Sequence, residues 1–325
     1  MDKVFTTTDK QVEKLKSRGM NIADKDKHTI EMENYYNLIN GYKELFIDNT
    51  YTGDDEKYKN GTNFTEIYAL FLFDRDLRSI FLRSILEIEN NVKSVLSHDF
   101  SKKYGHDNYL KISNFDTRVQ GSRQAEKTRR IGAVAGLVAN LQGEIARQLS
   151  KKNLMISHSM LNYGYVPLWV LVNTLSLGTI SIFYSNLIQL DQNDIGRRFN
   201  LKPEEMTKLL FVLSIYRNAC AHDERLFNLK ALKKNMTPNM IKTNNIHRKM
   251  NIKFNSSNNP ICGKNDLFSI VIIFKIMLNA TSFERFYFFI KKAIDEIEKS
   301  INTIKIEDIL REMGFPSNWV DIKDV

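Results

Sequence analysis

The chain has 325 residues, 42% of them hydrophobic and 11% aromatic, which excludes a disordered protein and allows one large core or two modest ones. Only 5 Pro and 14 Gly favour long helices over turn-rich β architecture. A net charge of +9 points to a polyanionic partner, and two cysteines, Cys220 and Cys262, are too few for a disulfide framework. The start of the chain lacks an apolar signal core, so a cytoplasmic protein is expected.

Thr8 and Gln11 have capping-box spacing ahead of Val12 and Leu15, with Gly19 as the stop. A second helix is predicted from about Asp26 to Asn40, ending at Gly41, and residues 48–63 read as polar and turn-like. From Thr65 to about Tyr104, Ile67, Leu70, Phe71, Leu77, Phe81, Ile85, Ile88, Val92 and Val95 recur at three and four. They predict one long helix as the spine of the fold. Gln124 to Ser150 reads as a helix rich in small residues.

From Asn153 to Leu190 there is no Asp, Glu, Lys or Arg, and Pro167 opens what reads as a buried helix. Its Asn, Thr, Ser and Gly content argues against a membrane span, which needs about 20 apolar residues. Residues 191–200 read as a polar link. Pro203, with Glu204 and Glu205 behind it, then starts a helix whose apolar stripe runs through Leu209, Val212, Leu213, Tyr216, Ala219 and Cys220. Residues 228–265 read as a long loop or insertion, followed by helices over 266–279, 282–304 and a short one ending at Gly314-Phe315-Pro316. The fold class is all-α, a multi-helix bundle with a basic loop insertion. We read 1–325 as a single unit: N-terminal helices (1–64), a helical core (65–228), the insertion (229–265) and C-terminal helices (266–325).

The densest chemistry lies in Tyr216-Arg217-Asn218-Ala219-Cys220-Ala221-His222, with Arg225-Leu226-Phe227-Asn228 behind it. On a helix Ser214, Asn218 and His222 share a face, and Arg217 lies about 100° round from Asn218. An imidazole ordinarily titrates near 6.5 and can move a proton at neutral pH. A guanidinium grips phosphate bidentately and stabilises phosphoryl charge. Those are the two needs of RNA cleavage by the ribose 2′-hydroxyl, and no metal or other cofactor is required. The plainer reading gives His222 a helix-dipole role and pairs Arg217 with Asp223 or Glu224.

Arg225 to Asn265 holds nine basic residues and no acid: Arg225, Lys230, Lys233, Lys234, Lys242, Arg248, Lys249, Lys253 and Lys264. A second cluster comprises Arg118, Arg123, Lys127, Arg129 and Arg130. Both are candidate RNA-binding surfaces. Asp74, Asp76, Glu87 and Glu89, lying among Arg75, Arg78 and Arg83, are expected to form internal ion pairs rather than a metal site. Cys220 and His222 are about 200° apart on a helix, which argues against zinc.

Several blocks in fixed order resemble the Abi-like abortive-infection family (AbiD/AbiF type), which is related to HEPN ribonucleases. They are Arg18-Gly19, Tyr35-Tyr36 and Gly41-Tyr42-Lys43; Phe73-Asp74-Arg75-Asp76-Leu77-Arg78 with Glu87-Ile88-Glu89; and His158, Pro167-Leu168-Trp169 and Gly178-Thr179-Ile180-Ser181. Arg217-Asn218-Ala219-Cys220-Ala221-His222 with Arg225-Leu226 and Asn228, and Gly314-Phe315-Pro316 with Trp319, complete the set. The spacing Arg, four residues, His matches the HEPN motif. The resemblance implies an endoribonuclease of phage defence with Arg217, Asn218 and His222 in its site. It also implies a homodimer that completes a composite site, and control by a structured noncoding RNA. One departure stands out: the family usually carries a Glu after the Trp block, where this chain has Asn173-Thr174. The alternative reading is a module that holds the noncoding RNA without cutting it, and a third is a scaffold whose motif builds an interface.

Overall fold

The computed structural model describes residues 5–118, 124–232 and 240–325. Its spine is α4 (Phe64–Tyr104), preceded by α1 (Thr8–Ser17), α2 (Asp26–Met32) and α3 (Tyr35–Tyr42). At 41 residues α4 is about 60 Å long. Ile67, Leu70, Leu77, Phe81, Ile85, Ile88 and Val92 are all fully buried, so the three-and-four periodicity marks the side that other helices cover. Asn63 sits at its N-cap, and Glu66 ties the start of the helix to the far end of the chain. The Glu66 carboxylate accepts from Asn302 N–H at 2.6 Å, Thr303 N–H at 2.7 Å and Thr303 Oγ1 at 2.7 Å.

Around the spine stand α5 (Gln124–Ser150), α6 (Leu154–Tyr163), α7 (Leu168–Leu171), α8 (Leu177–Asn186), α9 (Gln189–Arg197) and α10 (Pro203–Ala221). After α11 (Asn245–Lys249), the helices α12 (Leu267–Met277), α13 (Ala280–Glu298) and α14 (Ile306–Met313) close the bundle. The main packing partners of α4 are α13, α10 and α3, and α10 lies mainly against α8 and α4. The all-α expectation holds: among the described residues β structure is limited to isolated bridges.

Several local expectations are corrected. The cap of α1 is Thr7, whose side chain accepts from Lys10 N–H, one residue earlier than the Thr8 spacing suggests. The expected helix over 26–40 breaks at Glu33. Asn34 restarts it as α3 by accepting from the Tyr36 and Asn37 N–H groups, and Gly41 lies inside α3. The uncharged segment is not one buried helix but α6, α7, a 3-10 turn and α8, and it leaves Leu154, Leu161 and Trp169 exposed. The polar stretch after it is helical as α9, with Asp191 held by Lys103 and the Tyr104 hydroxyl. Among the described residues no helix is long and apolar enough to cross a membrane.

Gly314 ends α14 at a φ of 76°, and a Cβ there would stand 2.2 Å from the Asp266 side chain, so only glycine fits. Asp266 itself caps α12 through Ser269 N–H and also accepts from Gly263 N–H at 2.9 Å. The C-terminal Gly-Phe-Pro block is thus a packing device, with Phe315 and Trp319 edge-to-face at 5.5 Å.

One carboxylate joins three parts of the chain. Asp74 of α4 is fully buried and accepts from Tyr42 Oη at 2.7 Å, Arg78 at 2.7 Å, Leu226 N–H at 3.0 Å and Phe227 N–H at 2.6 Å. Burial pushes this carboxyl upward from its ordinary range, against the Leu226, Tyr42, Arg78 and Phe227 donors that favour the charge. Removing it strands four donors at once. Asp74→Ala is expected to cost about 3–5 kcal/mol in chemical denaturation, the range for a broken buried ion pair. A loss under 1 kcal/mol would mean that the anchor is dispensable.

Candidate functional site

The motif helix α10 begins with Pro203 at its first position and with Lys202 N–H donating to Glu205 Oε2 at 2.9 Å. Its apolar residues Leu209, Leu210, Val212, Leu213 and Tyr216 are buried. The Tyr216 hydroxyl donates to Leu229 O at 2.6 Å and lies 3.1 Å from Asn265 O, which fixes both ends of the insertion to this helix. Phe211, Asn218 and His222 stay exposed. Ser214 is buried, so the expected polar row Ser214, Asn218, His222 opens to solvent only in its last two members.

His222 is the C-cap of α10, and its backbone N–H donates to Asn218 O at 3.0 Å. The turn that follows places Asp223 at a φ of 57°. Asp223 Oδ1 takes the second Arg78 nitrogen at 2.5 Å, and Arg78 also reaches Glu224 O at 3.4 Å. Arg225 donates to Gly41 O of α3. The motif's end is therefore clamped by Asp74 and Arg78 of the Phe73-Asp74-Arg75-Asp76-Leu77-Arg78 segment of α4.

Arg217 does not pair with Asp223 or Glu224. Its Nε lies 3.4 Å from Glu89 Oε2, on a carboxylate that is 4% exposed and also takes the Lys93 ammonium at 2.6 Å. The alignment falls short of a hydrogen bond, so Arg217 Nε and Glu89 Oε2 are both buried without a hydrogen-bond partner. That is an expensive arrangement in a core, and it holds the guanidinium by its inner edge. The Arg217 side chain remains 28% exposed. Glu89 and Lys93 were missed as site residues. The four-residue spacing from Glu89 to Lys93 was visible in the sequence, but nothing there shows that α10 packs Arg217 against it. Of the expected internal ion pairs among Asp74, Asp76, Glu87, Glu89, Arg75, Arg78 and Arg83, Asp74–Arg78 forms, whereas Arg75 pairs with Glu33, Glu89 with Lys93, and Glu87 accepts from Ser282 Oγ.

Cys220 is buried in α10, and burial pushes its thiol up to about 12, so no thiolate nucleophile stands beside His222. Among the described residues no three His, Cys, Asp or Glu side chains are grouped so as to hold a metal ion.

The basic residues fare unequally. Lys127, Arg129, Arg248, Lys249 and Lys253 are exposed. Lys230 donates to Glu312 O, Lys242 pairs with Glu204, and Arg130 pairs with Asp116 at 2.5 Å. Lys264 is 8% exposed beside Thr243 and is no surface cation, which corrects its place in the cluster. Lys233, Lys234 and Arg123 lie outside the described residues.

The described part of the insertion after residue 240 is anchored rather than free. His247 is fully buried, with Nε2 2.8 Å from Gly263 O and Nδ1 3.2 Å from Asn244 N–H, and Met250 is fully buried beside it in sequence. Burial depresses the His247 imidazole below its ordinary value; the Gly263 carbonyl opposes this and the Lys264 charge adds to it. A depressed imidazole favours the folded state above its unfolded value near 6.5, and that contribution is lost as pH falls below it. Amide protection over residues 246–252, taken relative to the intrinsic exchange rate at each pH, should therefore fall between pH 7.5 and 5, and His247→Gln should flatten the dependence. Equal pH dependence in both proteins would contradict this.

The profile of the Abi-like protein family matches residues 28–228, more than half of the chain. This chain belongs to the Abi-like protein family. The matched span of this Abi-like protein starts in α2, includes all of α3 to α10, and so contains the Asp74 anchor, Glu89 and the Arg217–His222 segment. No curated protein and no solved structure matches it.

Proposed function

We propose that this Abi-like protein is a metal-independent endoribonuclease of the HEPN type, with Arg217 and His222 as its working pair. Membership of the family supports a role in abortive infection, a response to phage. The nuclease reading rests on one observation: Arg217 is held at Nε by buried Glu89, which leaves its outer edge for a ligand, about 1.4 helical turns before the exposed His222.

In this reading the outer edge of Arg217 clamps a phosphate and stabilises its charge as the 2′-hydroxyl attacks. His222 moves the proton, and Asn218 orients the imidazole or the phosphate. Each chain carries one such motif, so two copies are proposed to complete one site. A structured noncoding RNA would serve as regulator or substrate. Exposed Arg248, Lys249 and Lys253 would hold the backbone of the RNA, with Arg225, Lys230 and Lys242 at the edge of the same surface.

The alternative, a module that holds RNA without cutting it, is favoured by the spread of exposed cations beyond the motif. Cleavage of labelled RNA by wild type, Arg217→Ala and His222→Ala separates the two. The nuclease reading expects each variant to lose about 100-fold or more in rate while RNA binding persists. Undiminished cutting by either variant would refute it, and binding with no cutting by wild type would favour the module. A separate expectation concerns salt. Replacing Arg248, Lys249 and Lys253 with Ala should lower the slope of log affinity against log salt by about two units for single-stranded RNA. An unchanged slope would place the RNA elsewhere.

A further inference from the structure

We propose that the cleft between α4 and α13 binds a nucleoside monophosphate. This site goes beyond the nuclease reading and stands whether or not the protein cuts RNA. The cleft has a volume of about 310 Å³, and its lining includes Arg83, Ser84 and Glu87 of α4 with Arg285, Phe286 and Phe289 of α13. α13 lies beyond the residues that the family profile matches, so family membership does not account for this cleft.

Three polar groups in it are unmet. Glu87, one turn along α4 from Arg83, turns to α13 instead and accepts from Ser282 Oγ at 2.6 Å. Among the described residues neither Arg83 nor Arg285 has an acidic partner. Ser84 is only 7% exposed, yet its hydroxyl has no hydrogen-bond partner among those residues and opens on the cleft. A helical serine commonly returns its hydroxyl to a carbonyl one turn back, as Ser79 does to Arg75 O at 3.4 Å. Ser84 does not. A buried hydroxyl left unmet is costly, and a ligand that meets it removes the cost.

The chemistry of the lining selects the ligand. Two guanidinium forks and a hydroxyl offer more donors than the two oxygens of a carboxylate can use. A phosphomonoester presents three outer oxygens and a charge near −2, which suits two cations on two helices. The rest of the lining suits a flat ring. Phe286 is 3% exposed and held edge-on by Phe81 and Phe274 at 5.1 and 4.8 Å, so the floor is rigid. Phe289 is 39% exposed and offers a ring face on which a base can stack. Both contacts to Glu87 fall on Oε1, which leaves Oε2 to accept from a ribose hydroxyl.

Size and charge favour a single nucleotide over a strand. A volume of about 310 Å³ lies at the small end of small-molecule clefts. Glu87 stands four residues beyond Arg83, about 6 Å along α4, so a second phosphate on that side would meet a carboxylate. The same carboxylate disfavours a polyphosphate tail. Glu87 and Glu89 are about 200° apart around α4, so the cleft lies on a different side of the spine from Arg217.

The test is calorimetric titration of the full chain with adenosine 5′-monophosphate, with adenosine, inorganic phosphate, ATP and a short single-stranded RNA as further arms. The monophosphate is expected to bind one to one, and adenosine and inorganic phosphate each about tenfold more weakly or worse. ATP should bind more weakly than the monophosphate. Arg83→Gln and Arg285→Gln should each weaken the monophosphate about tenfold or more at an unchanged melting temperature, since neither side chain has a partner to lose. Ser84→Ala should melt no lower than wild type and still bind it several-fold more weakly. Phe289→Ala should weaken the monophosphate and leave inorganic phosphate unaltered. No binding of the monophosphate at a few millimolar overturns the proposal, as does equal binding by the folded arginine variants. Inorganic phosphate or ATP binding as tightly as the monophosphate would overturn it too. RNA binding lost in the arginine variants, with no binding of the monophosphate to wild type, would assign the cleft to RNA and overturn it as well.

Discussion

A buried carboxylate with four donors cannot be moved without moving everything that it holds. Asp74 is such a group: it fixes the turn at Leu226 and Phe227, takes the Tyr42 hydroxyl from α3 and pairs with Arg78 one turn along α4. Arg78 in turn reaches Asp223, so the residue after His222 is tethered to the same spine. The end of α10 is therefore a fixed point rather than a fraying terminus. The backbone that carries the exposed His222 is thus held in place from both sides.

The second constraint is electrostatic. Glu89 and Lys93 form a buried pair one turn apart on α4, and Arg217 approaches the same carboxylate from α10. Two cations on one carboxylate leave excess positive charge, and Arg217 is the member with an exposed edge. An incoming phosphate would complete the balance. The unmet hydrogen bonding of Arg217 Nε and Glu89 Oε2 means that charge, not a directional bond, holds this pair.

Much of this was legible in the sequence, and the rest fails for identifiable reasons. Periodicity found α4 because its apolar residues face other helices for most of its length, and Pro203 located the start of α10 to the residue. The break at Asn34 was missed because the apolar pattern continues across it; a side-chain cap, not a change in pattern, divides α2 from α3. The uncharged segment misled in the opposite sense, since absence of charge reads as burial when it can equally mark an unpartnered surface, as at Leu154 and Leu161. Arg217, Asn218 and His222 stood out by type and spacing. Glu89 did not, because its contact with Arg217 spans more than a hundred residues of sequence. Lys264 looked like its basic neighbours, and only burial distinguishes it.

The fold and the chemistry thus meet at one helix end, where a guanidinium and an imidazole are proposed to do together what a metal ion does in other nucleases. The identity of the new RNA ends tests this most directly, measured on products formed in the presence of a chelator. The account predicts undiminished cutting that leaves 2′,3′-cyclic phosphate and 5′-hydroxyl ends. Products with 3′-hydroxyl and 5′-phosphate ends, or cutting abolished by the chelator, would contradict it.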